Sequence, residues 1–464
     1  MRTILFLVLS AWPLLGAAQA FPVTAIQKNG PDSTRINLVM LSDGYTQDQL
    51  PQYLKDAGTV ADKLFQTTPF KEYKAFFNVY AISVPSPESG ADHPGTATDV
   101  TEPASPVQDV QNIFGSTFDY FNIHRLLVAK NSAAIFSTLA ASFPGYDQSL
   151  VIVNSAEYGG SGGTFPTTSA HPSSAEVAIH ELGHSFSFLA DEYWAGDVYA
   201  GERANMTATT DTAKVKWKNW LNTQNVGIYP YGSSGLQAQW HKPVNGLCKM
   251  EYLGRPFCPV CREAIINRIY QLASPIADYA PKSATLVSEK QPMPFSVALV
   301  TPNPNTLSVQ WTLNGKVIAQ DQTSISLSPA QLDKPDNVLS ATITDNTSLS
   351  RSYRPASGYV FFRTWTIKQQ VTPVEEPVTS PFRFEVYPNP AQDILYGQFY
   401  SPTAGETLHV SLLDLKGSLL KTQSFPLHQG AQTLSFPVHD LPPGTYVLQL
   451  RYRDWRQGMV FFRM

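Results

Sequence analysis

The stretch Ser173-Ser-Ala-Glu176-Val-Ala-Ile-His180-Glu-Leu-Gly-His184-Ser-Phe186 carries the strongest structural signal of the chain. A serine followed three residues later by a glutamate, here Ser173 and Glu176, is the signature of a capping box at a helix N-terminus. The apolar residues that follow have the spacing of one helix face: Val177, Ile179, Leu182 and Phe186. The sequence therefore predicts a capped α-helix that carries His180 and His184.

The two histidines lie four residues apart, so their imidazoles leave the same face of the helix. Two nitrogen ligands at this spacing suit tetrahedral Zn²⁺. Glu181 is rotated by about 100° from His180, so it can lie beside the metal without binding it. It can then accept a proton from a metal-bound water that attacks a peptide carbonyl. We predict a zinc centre with His180 and His184 as ligands and Glu181 as the general base. The alternative is a pair of surface histidines on an amphipathic helix.

The third zinc ligand is less clear from the sequence. A catalytic zinc usually takes three protein ligands and a water. If the helix continued, Asp191 would share the histidine face but lie about 10 Å along the axis from His184, which is too far to share a metal. A helix that ends near Ser187 or Phe188 would let the chain fold back and bring Asp191 to the metal. We predict Asp191 as the ligand; the alternative is that it only supports the histidines from outside the ligand sphere. The competing ligands are Glu192, Glu202 and His241.

Composition and the N-terminus place the chain among exported globular proteins. With 464 residues, 43% of them hydrophobic and 15% charged, it is expected to fold into about two to four domains. The formal net charge of −4 gives no sign of nucleic-acid binding. Residues 1–20 have the positive, apolar and small-residue regions of a signal peptide. No later stretch is long and apolar enough for a transmembrane helix, so a secreted or surface-attached protein is expected.

The pattern of hydrophobic and turn residues changes along the chain. The first part mixes strand and helix patterns, whereas the second part alternates strands with turns, including the hairpin signal Asn314-Gly315. We therefore predict a multidomain protein in which an α+β catalytic domain precedes two all-β sandwich domains. The predicted segments are a signal peptide (1–20), a metallopeptidase domain (21–281), an immunoglobulin-like sandwich (282–371), a Pro-rich linker (372–381) and a C-terminal β domain (382–464).

The three cysteines lie in one short segment, at Cys248, Cys258 and Cys261. Cys258-x-x-Cys261 together with Cys248 supplies three ligands of a second, structural zinc, but a fourth cysteine is missing. In an exported protein, a disulfide that uses Cys248 is at least as compatible with the sequence. Both interpretations stay open.

Several motifs resemble those of the M64 family of peptidases, which is named for an IgA-cleaving peptidase. The resemblance implies a zinc endopeptidase of the broad clan that shares the His-Glu-x-x-His motif, with a zincin- or metzincin-like fold. It does not imply specificity for IgA. The matching stretches are 42–46, 77–80, 85–92, 158–163, 180–186, 189–193, 248–250 and 257–261.

Cys248-Lys249-Met250-Glu251-Tyr252 also resembles the methionine turn of metzincins. That resemblance implies that Met250 lies beneath the metal as an apolar floor. It further implies that Tyr252 is a second catalytic residue, which hydrogen-bonds the tetrahedral intermediate. Otherwise Met250 is ordinary core and Tyr252 an ordinary surface residue.

The C-terminal domain resembles the sorting domain of the type IX secretion system of Bacteroidota, through Val386-Tyr-Pro-Asn-Pro390 and Leu441-Pro-Pro-Gly-Thr-Tyr446. The expected partners are therefore the type IX secretion machinery and protein or peptide substrates, host glycoproteins among them. The leading functional interpretation is a secreted zinc endopeptidase. The alternatives are a surface-binding adhesin on an inactive peptidase fold and a zinc hydrolase that acts on a non-peptide substrate.

Overall fold

The computed structural model describes residues 19–101, 106–351, 359–369, 384–401, 404–415, 417–453 and 455–464. The described residues up to 369 form one compact unit and those from 384 onward form a second one. Most of the predicted signal peptide and the whole of the predicted linker lie outside the described residues. Among the described residues, no helix has the length and hydropathy needed to cross a bilayer.

A six-stranded sheet forms the centre of the first half of the chain, with the strand order β1-β3-β2-β6-β8-β7. The inner strands run parallel, and the edge strands β1 and β7 are antiparallel to their neighbours. Every residue of β2 is buried because both faces of the sheet are covered, which explains its continuous apolar run. The strands of this region are β1 (Val23–Gln27), β2 (Ile36–Asp43), β3 (Phe77–Ile82), β4 (Ser116–Thr117), β5 (Val128–Ala129), β6 (Gln148–Val153), β7 (Gly160–Ser161) and β8 (Thr167–Ser169).

Helices cover the two faces of the sheet. The first, third and fifth helices share one buried apolar cluster with one face, and the second helix packs on the other face. This arrangement places the third helix beside the edge strand β7. The helices are α1 (Leu50–Leu64), α2 (Ser132–Ser142), α3 (Ser174–Ser187), α4 (Gly235–Gln239) and α5 (Pro259–Leu272).

Helix α3 is the helix predicted from the histidine-bearing stretch, and Ser173 precedes its first residue. The predicted capping box is wrong, because the Ser173 side chain makes no capping hydrogen bond. Glu176 instead contacts the ammonium groups of Lys63 and Lys249 and accepts a hydrogen bond from the Gly254 N–H. Burial opposes ionisation of Glu176, but the two lysines outweigh it and lower its pKa to about 2. Two cations are stronger partners for a carboxylate than one backbone N–H.

Two small strands, β9 (Tyr229–Pro230) and β10 (His241–Lys242), precede a two-sheet β-sandwich. The hairpin predicted at Asn314-Gly315 joins β14 to β15, and both turn residues have positive φ, as a tight hairpin of this type requires. Assignment of the sandwich to the immunoglobulin-like class stays a prediction. Its strands are β11 (Ile276–Ala280), β12 (Thr285–Val287), β13 (Met293–Leu299), β14 (Leu307–Leu313), β15 (Lys316–Gln320), β16 (Ser324–Leu327), β17 (Asp336–Asp345) and β18 (Val360–Lys368).

The β-sandwich packs directly on the sheet-and-helix region. Asp345 Oδ2 accepts hydrogen bonds from the hydroxyls of Tyr73 at 2.5 Å and Tyr270 at 2.7 Å. Val300 and Tyr359 belong to the same buried cluster as α5. The boundary predicted at residue 281 therefore lies within one packed unit, although the functional division proposed there stays a prediction.

The second unit contains two further sheets, with the strand orders β19-β20-β23 and β22-β21-β24-β25. Their buried residues form a core of their own. A multidomain, β-rich protein is thus confirmed, whereas the zincin-like character of the first region stays a prediction. The strands are β19 (Phe384–Tyr387), β20 (Ile394–Ser401), β21 (Thr407–Leu413), β22 (Leu419–Pro426), β23 (Gly430–Pro437), β24 (Gly444–Tyr452) and β25 (Trp455–Arg463).

Candidate metal centre

The histidines of α3 point their Nε2 atoms at one place. His180 Nε2 lies 3.2 Å from His184 Nε2, as expected for side chains one helical turn apart. Asp191 Oδ1 lies 3.1 Å from the first nitrogen and 3.2 Å from the second. These three donor atoms form a group with the spacing that a metal ion requires.

Asp191 reaches the histidines because the chain reverses at the end of α3. Phe188 follows the last helical residue with φ 56° and ψ 31°, in the left-handed region. The N–H of Leu189 then donates to the carbonyl of Gly183 over 3.1 Å, which closes the turn. Glycine is the usual residue in this conformation, and another residue there costs roughly 1–2 kcal/mol. A phenylalanine at position 188 therefore gives no local signal for this turn. The helix does end at Ser187, within the range considered in the sequence analysis.

Backbone carbonyls orient both imidazoles. His180 Nδ1 lies 2.9 Å from the carbonyl oxygen of Lys249, and His184 Nδ1 lies 2.8 Å from that of Leu189. In neutral histidines these Nδ1–H groups donate to the carbonyls, so both Nε2 lone pairs remain available for a metal. Two lone pairs and a carboxylate oxygen then face one another at about 3 Å, an arrangement that a cation would stabilise.

Without a cation, a proton can satisfy the same atoms. Burial opposes charge on His184, but its hydrogen bond and charge interaction with Asp191 prevail and raise its pKa to about 9. Burial likewise opposes ionisation of Asp191, yet hydrogen bonds from the two histidines hold its pKa well below the usual range. The site is thus built to hold a positive charge between the three side chains.

Glu181 lies beside this group and is not part of it. Burial raises the pKa of its carboxyl group, although His180 and His184 counteract part of the increase. The Gly-rich segment 159–163 passes very close by: a Cβ on Gly162 would lie 3.1 Å from Glu181 Oε2 and 3.2 Å from the Cβ of His184. Glycine at 162 therefore permits this close backbone approach.

Met250 packs against the helix that carries the histidines. Its side chain is fully buried, and a Cβ on Gly183 would lie only 2.6 Å from its sulfur. Gly183 directly precedes His184, so Met250 contacts α3 close to the histidines. Its role as an apolar floor beneath a metal stays a prediction.

A cleft of about 1740 Å³ is lined by the two histidines together with Glu181 and Asp191. Tyr252 also lines the cleft, and the residue is 57% exposed. Tyr193 lines it too, and burial together with the charge of Asp191 raises the pKa of its phenol. The sequence analysis assigned no role to Tyr193 or to Arg125, which also lines the cleft. The position of Tyr193 two residues after the predicted ligand Asp191 could have indicated that it lies near the site.

None of the competing ligands predicted from the sequence belongs to this group of donor atoms. The carboxylate of Glu202 pairs with Lys216 and accepts a hydrogen bond from Thr207 over 3.0 Å. His241 is buried, and its backbone pairs with Thr207. Neither belongs to a metal-compatible group among the described residues. Glu192 does belong to such a group, but a different one, with the three cysteines.

Comparisons with known families bear directly on this site. Residues 24–237 match the family described as IgA Peptidase M64, a span that includes both histidines, Glu181 and Asp191. The resemblance to the M64 family is confirmed. The M64 match supports a peptidase, and its members are metallopeptidases. Residues 385–456 match the secretion system C-terminal sorting domain, which implies secretion or attachment to the cell surface.

Other comparisons add little to the M64 match. No curated protein matches the chain. Dimeric latent PorU from Porphyromonas gingivalis shares 9% identity over 40% of this chain and 19% of its own, with a TM-score of 0.17. The β-glucuronidase 3 of Bacteroides uniformis shares 10% identity over 49% of this chain and 29% of its own, with a TM-score of 0.16. The chain thus spans less than a third of these two structures, and likenesses this weak support no argument.

Proposed function

We propose that the chain is a secreted zinc-dependent endopeptidase whose metal is bound by His180, His184 and Asp191. The observation that carries this proposal is the convergence of the three donor atoms within 3.2 Å of one another, with Glu181 alongside and a large cleft above. Two imidazoles and one carboxylate leave a fourth tetrahedral position open, which is the pattern of catalytic zinc. The M64 match supports the same assignment.

Each side chain has a role that its surroundings support. A bound Zn²⁺ would lower the pKa of a coordinated water and polarise the substrate carbonyl. Glu181 takes up the proton that the attacking water gives up and delivers it to the leaving amine. Its raised pKa suits that exchange, since a base works best when its pKa lies closer to the working pH. The carbonyls of Lys249 and Leu189 keep both imidazoles in the ligating tautomer.

Tyr252 is proposed to donate a hydrogen bond to the tetrahedral intermediate, supported by the exposure of this residue in the cleft lining. The glycine-rich segment that directly follows β7 is proposed to bind substrate backbone by strand addition, supported by the close approach of Gly162 to Glu181 and His184. Gly160 of β7 itself already pairs with Leu126. Protein or peptide substrates, host glycoproteins among them, are the class to examine. Sequencing the new N-termini in a mixture of such proteins would identify the preferred cleavage site.

The adhesin alternative receives no support from the site. An inactive fold would be expected to have lost a ligand or the base, whereas His180, Glu181, His184 and Asp191 are all present and assembled.

Metal removal tests the proposed function directly. We expect a strong chelator to abolish cleavage of an unstructured protein substrate and one equivalent of Zn²⁺ at the metal centre to restore it, since ligands without the cation cannot activate water. The same chelator saturated beforehand with Zn²⁺ is the control. A chain shown by elemental analysis to be free of metal that still cleaves the substrate would refute the proposal.

Truncation tests the role of the C-terminal unit in export. Removal of residues 382–464 is expected to leave the first unit folded and active, because the second unit has its own core. The truncated protein should fail to reach the cell surface or medium and accumulate inside the outer membrane. Full-length Glu181→Gln is the matched control, since it keeps the sorting domain and is expected to be exported normally. Normal surface display of the truncated chain would contradict the sorting role.

A further inference from the structure

Another group of metal-ligating atoms is formed by three cysteines and a glutamate. Cys248, Cys258, Cys261 and Glu192 are all buried, and one ligand atom from each lies within 4.8 Å of the others. Cys248 Sγ lies 3.7 Å from Cys261 Sγ. Glu192 Oε1 lies 3.1 Å from Cys261 Sγ and 3.6 Å from Cys258 Sγ.

These distances suit a tetrahedral metal. Zinc–sulfur bonds of about 2.3 Å at the tetrahedral angle separate two sulfurs by about 3.7 Å, and a zinc-bound oxygen lies about 3.5 Å from each sulfur. A disulfide requires sulfurs about 2.05 Å apart. The three cysteines are free thiols in the structure. Their arrangement therefore resembles an ion-binding cage more closely than a cross-link.

The carboxylate of Glu192 provides an independent observation. The residue is fully buried, and Oε2 has no hydrogen-bond partner among the described residues. Oε1 accepts hydrogen bonds from the side-chain amide of Asn205 over 3.2 Å and from the thiols of Cys261 and Cys258 over 3.1 and 3.6 Å. The nearby Lys242 ammonium does not neutralise this carboxylate, because it contacts the backbone carbonyl of Glu192 and the carboxylate of Glu251. A buried carboxylate among three thiols is costly unless a cation binds them together.

Backbone N–H groups also point at the sulfurs. The N–H of Cys258 faces Cys248 Sγ at 3.3 Å, and the N–H of Cys261 faces Cys258 Sγ at 3.5 Å. A metal binds cysteine as the thiolate, and these N–H groups are placed to donate to two of the ligand sulfurs.

We propose that Glu192, Cys248, Cys258 and Cys261 bind a second, structural zinc ion. Glu192 is the fourth ligand that the cysteine pattern lacks, and it precedes Cys258 by 66 residues and Cys261 by 69. With four protein ligands the site is closed, so it takes no water or substrate. The site itself does not depend on the proposed function.

The second zinc would hold together the pieces that build the catalytic centre, a role that does rest on the proposed function. Glu192 directly follows Asp191, and its N–H donates to the carbonyl of Met250 over 2.7 Å. Cys248 precedes Lys249, whose carbonyl orients His180. Cys258 and Cys261 lie at the start of α5. One ion would thus join the Asp191 loop, the Met250 segment and α5.

The test uses the full chain with its first site removed. The double variant His180→Ala/His184→Ala should still retain one equivalent of zinc, with sulfur ligands visible by X-ray absorption spectroscopy. A thiol-reactive mercurial should release that equivalent. In the same background, Glu192→Gln and Cys258→Ser should each lose it, whereas Glu251→Gln should keep it as the matched control. Because the catalytic histidines are absent, the result does not depend on whether the proposed function is correct.

Two results would overturn the proposal. One is a double variant that carries no sulfur-bound zinc after purification in zinc-containing buffer. The other is peptide mapping, under non-reducing conditions, that finds two of the three cysteines joined as a disulfide. Both measurements use a chain in which all four proposed ligands are intact, so they remain decisive even where Cys258→Ser fails to fold.

Discussion

Glu181→Gln is expected to retain its metal and to lose peptidase activity by a factor of roughly 10² or more. Glutamine has the same shape as glutamate but cannot accept a proton at neutral pH. Glu181 lies beside the three converging donor atoms without joining them, so its amide should leave metal affinity nearly unchanged. The measurement is kcat/KM on a peptide substrate, together with metal content, for both proteins. Full activity in the metal-loaded variant would remove Glu181 from the mechanism.

Tyr252→Phe provides a graded comparison for that experiment. Loss of one hydrogen bond to the intermediate should reduce kcat by less than loss of the base and leave KM nearly unchanged, because the bond forms only in the transition state. Tyr193→Phe is the matched variant, since both phenols line the cleft. A larger loss of kcat in Tyr193→Phe than in Tyr252→Phe would transfer the proposed role to Tyr193.

Asp191→Ala is expected to weaken binding of the catalytic metal by about 100-fold or more. Loss of a partner outside the ligand sphere already costs about 10–100-fold in affinity, so loss of a direct ligand should cost at least as much. The removed oxygen lies within 3.2 Å of both Nε2 atoms. Competition with a chromophoric chelator measures the affinity, and activity should fall in parallel at limiting zinc.

Asp197→Ala is the control for that prediction, because Asp197 is an exposed carboxylate in the same loop region. It should bind zinc as tightly as the unaltered chain. Glu192→Gln offers a second contrast: it should remove the sulfur-bound zinc, whereas Asp191→Ala should remove the zinc bound through nitrogen and oxygen. Equal affinity in Asp191→Ala and the unaltered chain would exclude Asp191 as a ligand.

Features that depend on neighbours along the chain could be predicted from the sequence. The apolar runs of β2 and β6, the hairpin at Asn314-Gly315 and the helix that carries the histidines all follow from local periodicity and turn chemistry. The paired histidines also belong to this class, because residues four apart on a helix must share a face. The sequence by itself therefore determined the position of the candidate metal centre and the chemistry of its first two ligands.

Features that depend on distant segments were decided by the tertiary structure. Glu176 does not cap the helix as predicted, because its carboxylate pairs with Lys63 and Lys249 from other segments of the chain. Asp191 reaches the histidines through a left-handed turn at Phe188, a residue type that does not signal such a turn. The side chain of its neighbour Glu192 lies instead with Cys258 and the other two cysteines. Two adjacent acidic residues therefore belong to two different groups of potential metal ligands.

The physical reason is the range of the interactions. Helix, strand and hairpin preferences act over a few residues, and the printed sequence contains them directly. A group such as Glu192 with Cys248, Cys258 and Cys261 exists only when packing brings together segments more than fifty residues apart, and no local pattern marks its fourth member. The sequence thus determined the proposed catalytic motif and its helix, and only the tertiary structure decided which carboxylate completes each of the two proposed metal sites.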